Sequence, residues 1–467
     1  MTANPFRNPP PGLLGELADF IYRAAPRPVP EIALAGAVAY MSGITGRAFN
    51  VSGTGLNQYV LLVAETGRGK EGARSGVLRF VGYTKSGAWH DGDIPNQLPT
   101  VDEHMGPADI ASGQALIKYL GTSRSFVAFV GEFGHTIERI CHPRASASDV
   151  TLRKVLLDLF NLSGEHDVLH PTIYSDKANN TDAVDSPAFS LFGETSPQAL
   201  YPHLSESMVA LGLLPRFTPI VYEGPRTAQN PDAQRALPTG QTVRRFADLV
   251  ARCAHLNARN AVVHVPLSRD AYDFAGPGGY VDSIADGIIN AEAGVMAELW
   301  NRAHIKTLKL AALVAVGRDH AAPEISLPEA QWAFAVVQHG IEALARKFDA
   351  GEVGETTDEA KQEKVFVASV VRYLAEEYHK LPRLRATREM HADHIVPLSY
   401  LQQDLLQKSA FKKDRLGANV ALKRTIQSFL DGGDLQELGR ADLQSYGTRG
   451  KAYGIANAKR FTSEGSS

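Results

Sequence analysis

The run Gln58-Tyr-Val-Leu-Leu-Val-Ala-Glu-Thr-Gly-Arg-Gly-Lys70-Glu-Gly72 decides how this chain is read. Its apolar stretch Tyr59–Ala64 has the composition of a buried strand, and it runs straight into a glycine-lysine loop followed by a helical pattern. Such a junction binds phosphate. Glycines let backbone N–H groups converge on phosphate oxygens, the lysine neutralises them, and the helix N-terminus adds its dipole. The candidate cradle is Glu65, Thr66, Gly67, Arg68, Gly69, Lys70, Glu71 and Gly72. Two positions depart from the usual pattern, which opens with glycine and closes with Lys-Ser or Lys-Thr. Ala64 stands at the first and Glu71 at the last, so the hydroxyl that ordinarily holds Mg²⁺ is replaced by a carboxylate.

Composition bounds the class. The chain has 467 residues, 44% hydrophobic and 21% charged, which predicts a globular protein of two to four domains at about 150 residues each. Two cysteines far apart, Cys141 and Cys253, form neither a metal spacing nor a disulfide framework, as expected in a reducing cytoplasm. The N-terminus lacks a signal-peptide apolar segment, and no apolar run approaches the roughly 18 residues of a membrane span. A soluble cytoplasmic protein with no membrane partner is expected. The net charge of -3 conceals an asymmetry. From Leu381 to Ser467 there are 14 Lys and Arg against 9 Asp and Glu, a balance of +5, leaving -8 on the rest. A basic C-terminal module on an acidic body concentrates any nucleic-acid contact at that end.

Along the chain, residues 1–50 read as two helices broken at Pro26-Arg-Pro-Val-Pro30, a helical N-terminal collar. Across 51–225, apolar runs alternate with helical patterns, which predicts an α/β core with a largely parallel sheet. Its candidate strands are Tyr59–Ala64, Phe126–Val130, Ala188–Phe192 and Thr218–Tyr222. The Pro- and Asn-rich segment 224–240 reads as a linker. A helical region follows over 240–380, with Val243–Leu256, Ala291–Val316, Leu327–Phe348 and Asp358–Tyr378 as its helices, and the basic module occupies 381–460.

A phosphate loop gains weight from its companions. Ser125-Phe-Val-Ala-Phe-Val-Gly-Glu132 is an apolar strand ending in an acid, where an Asp-Glu pair would hold Mg²⁺ through water and orient the attacking water. Glu132 keeps the second role, while the aspartate position is Gly131. Pro187-Ala-Phe-Ser-Leu-Phe-Gly-Glu-Thr195-Ser-Pro supplies another strand with Thr195 at its tip, a candidate γ-phosphate sensor, although Thr195 or Ser196 can equally cap the next helix. Arg216 in Leu-Leu-Pro-Arg-Phe precedes a further apolar strand, and such a guanidinium can stabilise charge in a transition state or be an ordinary surface charge.

In this order, the loop after Tyr59–Ala64, Val-Gly-Glu-Phe-Gly, Leu-Phe-Gly-Glu-Thr-Ser-Pro-Gln-Ala-Leu and Gly-Leu-Leu-Pro-Arg-Phe resemble the phage, prophage and plasmid primase-helicase ATPases. Leu299-Trp-Asn-Arg302-Ala-His-Ile-Lys-Thr-Leu-Lys309 is similar to that family's helix after the ATPase core. The resemblance covers roughly residues 10–460 through short, degenerate motifs. It implies a RecA-like P-loop fold that binds ATP and Mg²⁺, forms a homo-oligomer such as a hexameric ring, and acts on DNA as a helicase or translocase in replication of a phage or other mobile element. With only about 50 residues upstream, no primase module is expected. The resemblance makes Lys70 the β/γ-phosphate ligand, Glu132 the catalytic base, Thr195 the sensor and Arg216 a finger acting across a subunit boundary. Glu71 and Glu132 are the candidate metal ligands, Glu71 replacing a neutral oxygen with a carboxylate that hard Mg²⁺ accepts. The alternative is a DNA-binding initiator or assembly protein whose loop holds nucleotide without hydrolysing it.

In the basic module, Pro397-Leu-Ser399-Tyr-Leu starts a helix with Ser399 as its cap, and Val420–Leu430 forms a second whose Leu422, Ile426, Phe429 and Leu430 face a core. Leu435–Leu438 and Ala452–Ala456 then form a hairpin, completing the pattern of a winged helix. Its candidate nucleic-acid contacts are Lys412, Lys413, Arg415, Lys423, Arg424, Arg449 and Lys451, with a solvated basic face of a protein-interaction domain as the competing reading. Asp393-His394-Ile-Val-Pro resembles the start of an HNH nuclease motif but lacks its later histidine or asparagine at short spacing, so a nuclease is rejected; packing or phosphate contact suits His391 and His394. His135, Glu138, Arg139 and Cys141 are expected to make surface contacts rather than to hold a metal.

Overall fold

A computed structural model of the chain describes residues 4–87, 89, 101–142, 145–173, 180–291, 294–349, 353, 358–381, 387–412, 414, 416–448 and 450–461. The chain divides into two compact units, Met1–Gly354 and Glu355–Ser467.

The first unit is an α/β fold. Two helices, α1 (Leu13–Ala24) and α2 (Pro30–Thr45), precede strand β1 (Tyr59–Ala64) and helix α3 (Gly72–Ser86). Then come α4 (Gly113–Thr122), β2 (Ser125–Val130), α5 (Phe133–Cys141), α6 (Ala147–Asn161), β3 (Ala188–Thr195) and β4 (Phe217–Tyr222). The four strands form one parallel sheet in the order β2-β3-β1-β4. All six residues of β1 and of β2 are buried. Parallel strands covered on both faces need continuous rather than alternating apolar runs, which is why these were visible in the sequence.

α2 covers one face. Gly43 approaches so closely that an added Cβ would lie 3.0 Å from Val127 Cβ. Val127 pairs with Ser190, so Ser190, Phe192 and Glu194 share that face while Phe189, Gly193 and Thr195 look the other way. There α5 sits on β3, since a Cβ at Gly193 would lie 2.4 Å from the Phe133 ring. Every residue of α2 from Glu31 to Thr45 is buried. A helix apolar on all sides belongs inside a core, and α1 and α2 share one continuous core with the sheet. Of the helices expected over residues 1–50, α2 thus lies inside the core, with α1 packed on it.

The segment 224–240 is tied down by hydrogen bonds along its length. Arg79 donates to the carbonyls of Ala24, Ala233, Gln234 and Ala236, and the Asn230 side chain donates to the Arg23 carbonyl. Beyond it run α7 (Gly240–Ala258), α8 (Ala303–Arg318) and α9 (Leu327–Asp349). The helix expected over Ala291–Val316 is interrupted: Val295–Trp300 is a separate helix, and α8 begins after Arg302. α9 packs on edge strand β4, where Pro219 is tolerated because an edge needs no complete hydrogen-bond ladder.

The second unit begins with α10 (Asp358–Ala375), which the sequence had placed in the preceding helical region. It continues through β5 (Ile395–Pro397), α11 (Leu398–Leu405), α12 (Ala418–Asp431), β6 (Leu435–Glu437), α13 (Arg440–Ser445) and β7 (Ala452–Ile455). The strands form an antiparallel sheet in the order β5-β7-β6. Phe366 of α10 and Phe429 of α12 stack at 4.8 Å between ring centres in a core of their own. The expected pairing of Leu435–Leu438 with Ala452–Ala456 is present, but α13 lies in its connection, so this is no simple hairpin. Ser399 does not cap α11: Pro397 holds the cap position, and the Ser399 Oγ is buried without a hydrogen-bond partner.

Candidate functional site

The loop between β1 and α3 is shaped by two left-handed glycines, Gly67 at φ 79° and Gly69 at φ 87°. At Gly69 a Cβ would lie 2.9 Å from the Arg27 carbonyl oxygen, so both conformation and space require glycine. Arg68 folds back onto Glu65, with Nη2 to Oε2 at 2.6 Å. Among the described residues, nothing accepts a hydrogen bond from the N–H groups of Gly67, Gly69, Lys70 or Glu71. Successive free amides at the start of the 15-residue helix α3 form an anion-binding concavity.

Lys70 reaches into this site with only 8% of its surface exposed. Its ammonium lies 3.6 Å from Glu132 Oε1, an ion contact longer than a hydrogen bond. Glu132 follows β2 and holds a left-handed backbone at φ 47°, unusual for a residue with a side chain, while exposing that side chain to solvent. Backbone strain of this kind persists where surrounding structure enforces it and concentrates at functional sites.

A third acid was missed in the sequence. Glu194, one residue before Thr195, lies on the α2 face of β3 and pairs in register with Leu62 of the loop strand. Its Oε2 is buried without a hydrogen-bond partner, and its Oε1 lies 3.8 Å from where a Cβ on Gly131 would be. Burial raises its pKa, Lys70 opposes that rise, and the charges of Glu71 and Glu132 add to it. Thr195 faces the opposite side. It is fully buried, and a Cβ at Gly134 of α5 would come within 2.5 Å of its Oγ1. Period-two alternation separates the two residues but does not tell which face the loop occupies. The cap of the next helix is Ser196, whose side chain accepts from the Ala199 N–H.

Lys70, Glu71, Glu132 and Glu194 thus converge at the C-terminal ends of the strands, where open α/β sheets bind ligands. Arg216 does not join them. It precedes β4 and lies at the N-terminal end of the sheet, about 20 Å away along a six-residue strand. There Nη1 donates to the Gly212 carbonyl at 2.6 Å, Nε is buried unpaired, and burial lowers its pKa, helped by Arg302. At that same end, α8 buries two lysines completely. Lys306 donates to the Phe217 carbonyl at 3.0 Å, and Lys309 to Asn57 Oδ1 at 2.7 Å and the Phe160 carbonyl at 3.1 Å. Burial pulls both down to about 7.

Of the remaining loop residues, Glu65 and Thr66 are exposed, and buried Gly72 begins α3 against Ala25. The residues after β2 make structural contacts: Glu138 pairs with His135 and His203, Arg139 with Asp149, and burial pushes the Cys141 thiol up to about 11. Among the described residues, no three of His, Cys, Asp and Glu form an all-protein metal cage. Mg²⁺ in nucleotide sites needs only one or two carboxylates, phosphate oxygens and water, and Glu194 and Glu71 suit that donor set.

In the second unit, Lys412 and Lys423 are exposed. Arg424 is not available for phosphate, because Nη2 donates to Asp414 at 2.9 Å and to Gln362 Oε1 at 3.1 Å. Lys451 pairs with Glu437 at 2.6 Å. Lys413, Arg415 and Arg449 lie outside the described residues. His391 packs, hydrogen-bonded to the Tyr373 carbonyl at 3.0 Å.

Compared with models of known protein families and with curated proteins, the chain matches none. No helix among the described residues is long and apolar enough to cross a membrane.

Proposed function

We propose that the first unit is a P-loop nucleoside triphosphatase binding ATP with Mg²⁺, and that the protein is an ATP-dependent DNA helicase or translocase of a phage or other mobile element. The observation that carries the reading is one place with two demands. Lys70, nine-tenths buried, and four free amides suit an anion, and the Glu194 carboxylate, which feels the charge of Lys70 and whose Oε2 has no hydrogen-bond partner, suits a cation beside it. A metal-bound polyphosphate meets both. Lys70 and the amides of Gly67, Gly69, Lys70 and Glu71 would hold the β- and γ-phosphates, and the exposed Glu132 carboxylate would take the proton of the attacking water.

Strand order supports a RecA-like core, in which the loop strand and the acidic strand flank a third that brings Glu194 between them. Arg216 is remote from its own Lys70 and donates to the Gly212 carbonyl, so the ring is proposed on the likeness of Gly-Leu-Leu-Pro-Arg-Phe to the helicase motif and not on this position. The helices and three-stranded sheet of the second unit support a winged helix, with Lys412 and Lys423 as its phosphate contacts. The absent hydroxyl after Lys70 and the absent aspartate at 131 favour the second reading, a nucleotide-bound DNA-binding assembly protein without turnover.

Steady-state ATP hydrolysis with and without DNA, measured beside duplex unwinding, tests the proposal. DNA-stimulated turnover lost in Lys70→Ala is expected. Glu132→Gln is expected to lower turnover by roughly 10²–10⁴ while leaving nucleotide affinity within a few-fold. Wild-type turnover no higher than that of Lys70→Ala, with duplex bound but not unwound, establishes the assembly protein instead.

A further inference from the structure

We propose that Glu194 is the metal-binding carboxylate of this site, replacing across the sheet the acid that is missing at Gly131. The inference rests on the nucleotide-binding reading above and assigns its cation a ligand on the middle strand β3 instead of on β2.

Strand pairing sets the geometry. Val130 of β2 pairs with Gly193 of β3, so Gly131 and Glu194 come next to each other at the sheet's C-terminal edge. A glycine at 131 leaves space, and the Glu194 Oε1 lies 3.8 Å from the point where a side chain there would start. An aspartate at 131 and the glutamate at 194 would therefore crowd two carboxylates together, which costs free energy unless one is protonated. The chain has only one of them. That carboxylate is also poorly satisfied by protein, since its Oε2 is inaccessible and accepts no hydrogen bond. A carboxylate with one oxygen buried and without a donor is costly to charge, and a divalent cation held against phosphate would offset that cost by coordinating the other oxygen, Oε1, which faces the space left at Gly131. Glu132 serves less well as the metal ligand, because its side chain is 62% exposed and it already faces Lys70. Glu71 is exposed at the start of α3 and can contribute a second oxygen.

The test is equilibrium binding of a fluorescent ATP analogue to the full chain in Mg²⁺ and in EDTA, with Mn²⁺ binding followed by electron paramagnetic resonance. Wild type is expected to bind nucleotide at least tenfold more tightly with Mg²⁺ than with EDTA. Glu194→Gln keeps the volume and should lose most of that gain and the nucleotide-dependent Mn²⁺ signal, while keeping its affinity in EDTA. The double variant Gly131→Asp/Glu194→Gln returns a carboxylate to β2 and should recover the gain. A folded Glu194→Gln that retains the full Mg²⁺ gain, or a loss that appears in Glu71→Gln or Glu132→Gln instead, overturns the assignment while nucleotide binding stands. If wild type binds nucleotide and Lys70→Ala does not, yet Mg²⁺ makes no difference to wild type, the assignment again falls alone. No nucleotide binding by wild type in either buffer removes both readings.

Discussion

At the scale of single residues, the buried lysines of α8 have a measurable consequence. Among the described residues Lys306 and Lys309 have no carboxylate hydrogen-bond partner, and burial brings both to about 7, against roughly 10.4 in an unfolded chain. Between those values the unfolded chain holds more protons than the folded one, so stability rises with pH through that interval. Below about 7 both states are protonated, and the cost of the two buried charges is fully present. Thermal melting at pH 7 and pH 9 should show a rise in midpoint that is smaller in Lys306→Met/Lys309→Met; an equal rise in the variant refutes the account. In the loop, Lys70 and Glu132 were legible because a glycine-lysine turn and an acid ending an apolar run are local patterns. Glu194 was not, since its neighbours in sequence do not reveal which face of β3 meets the loop.

At the scale of elements, close approach of backbones fixes what the helices can carry. Gly340 of α9 lies against β4 such that an added Cβ would be 2.1 Å from the Pro219 carbonyl oxygen, and Gly193 meets the Phe133 ring at 2.4 Å. Neither partner is the free end of a flexible chain. Gly340→Ala and Gly193→Ala should each destabilise the first unit by about 1–3 kcal/mol through overpacking, read as a lowered urea midpoint, whereas Gly82→Ala in α3, where a Cβ meets nothing within 4 Å, should be neutral or slightly stabilising. All four sheet strands were recognisable from apolar runs bounded by turn residues, to within a few residues at their ends. The break at Asn301–Arg302 and the helix α13 between β6 and β7 were not, because periodicity measures amphipathic pattern and carries little information about where a short helix stops.

At the scale of the whole molecule, each unit has its own apolar core, with Phe366 and Phe429 central to that of the second. Phe429→Ala should cost about 3–5 kcal/mol and, in calorimetry, lower one unfolding transition while leaving that of the first unit in place. DNA affinity separates the two kinds of basic residue in the second unit. Removing exposed Lys412 or Lys423 should reduce the salt dependence of binding by about one counterion each. Arg424→Ala should instead act through stability, because Asp414 and Gln362 lose their partner. The sequence by itself determined the α/β class, the four strands and the glycine-lysine loop, since burial on both faces and a glycine turn are written in consecutive residues. Only the tertiary structure decided strand order, the inward position of α2, the distance of Arg216 from Lys70 and the meeting of Glu194 with Gly131. Those depend on which residues far apart in the chain become neighbours, and packing of whole surfaces sets that rather than any local pattern.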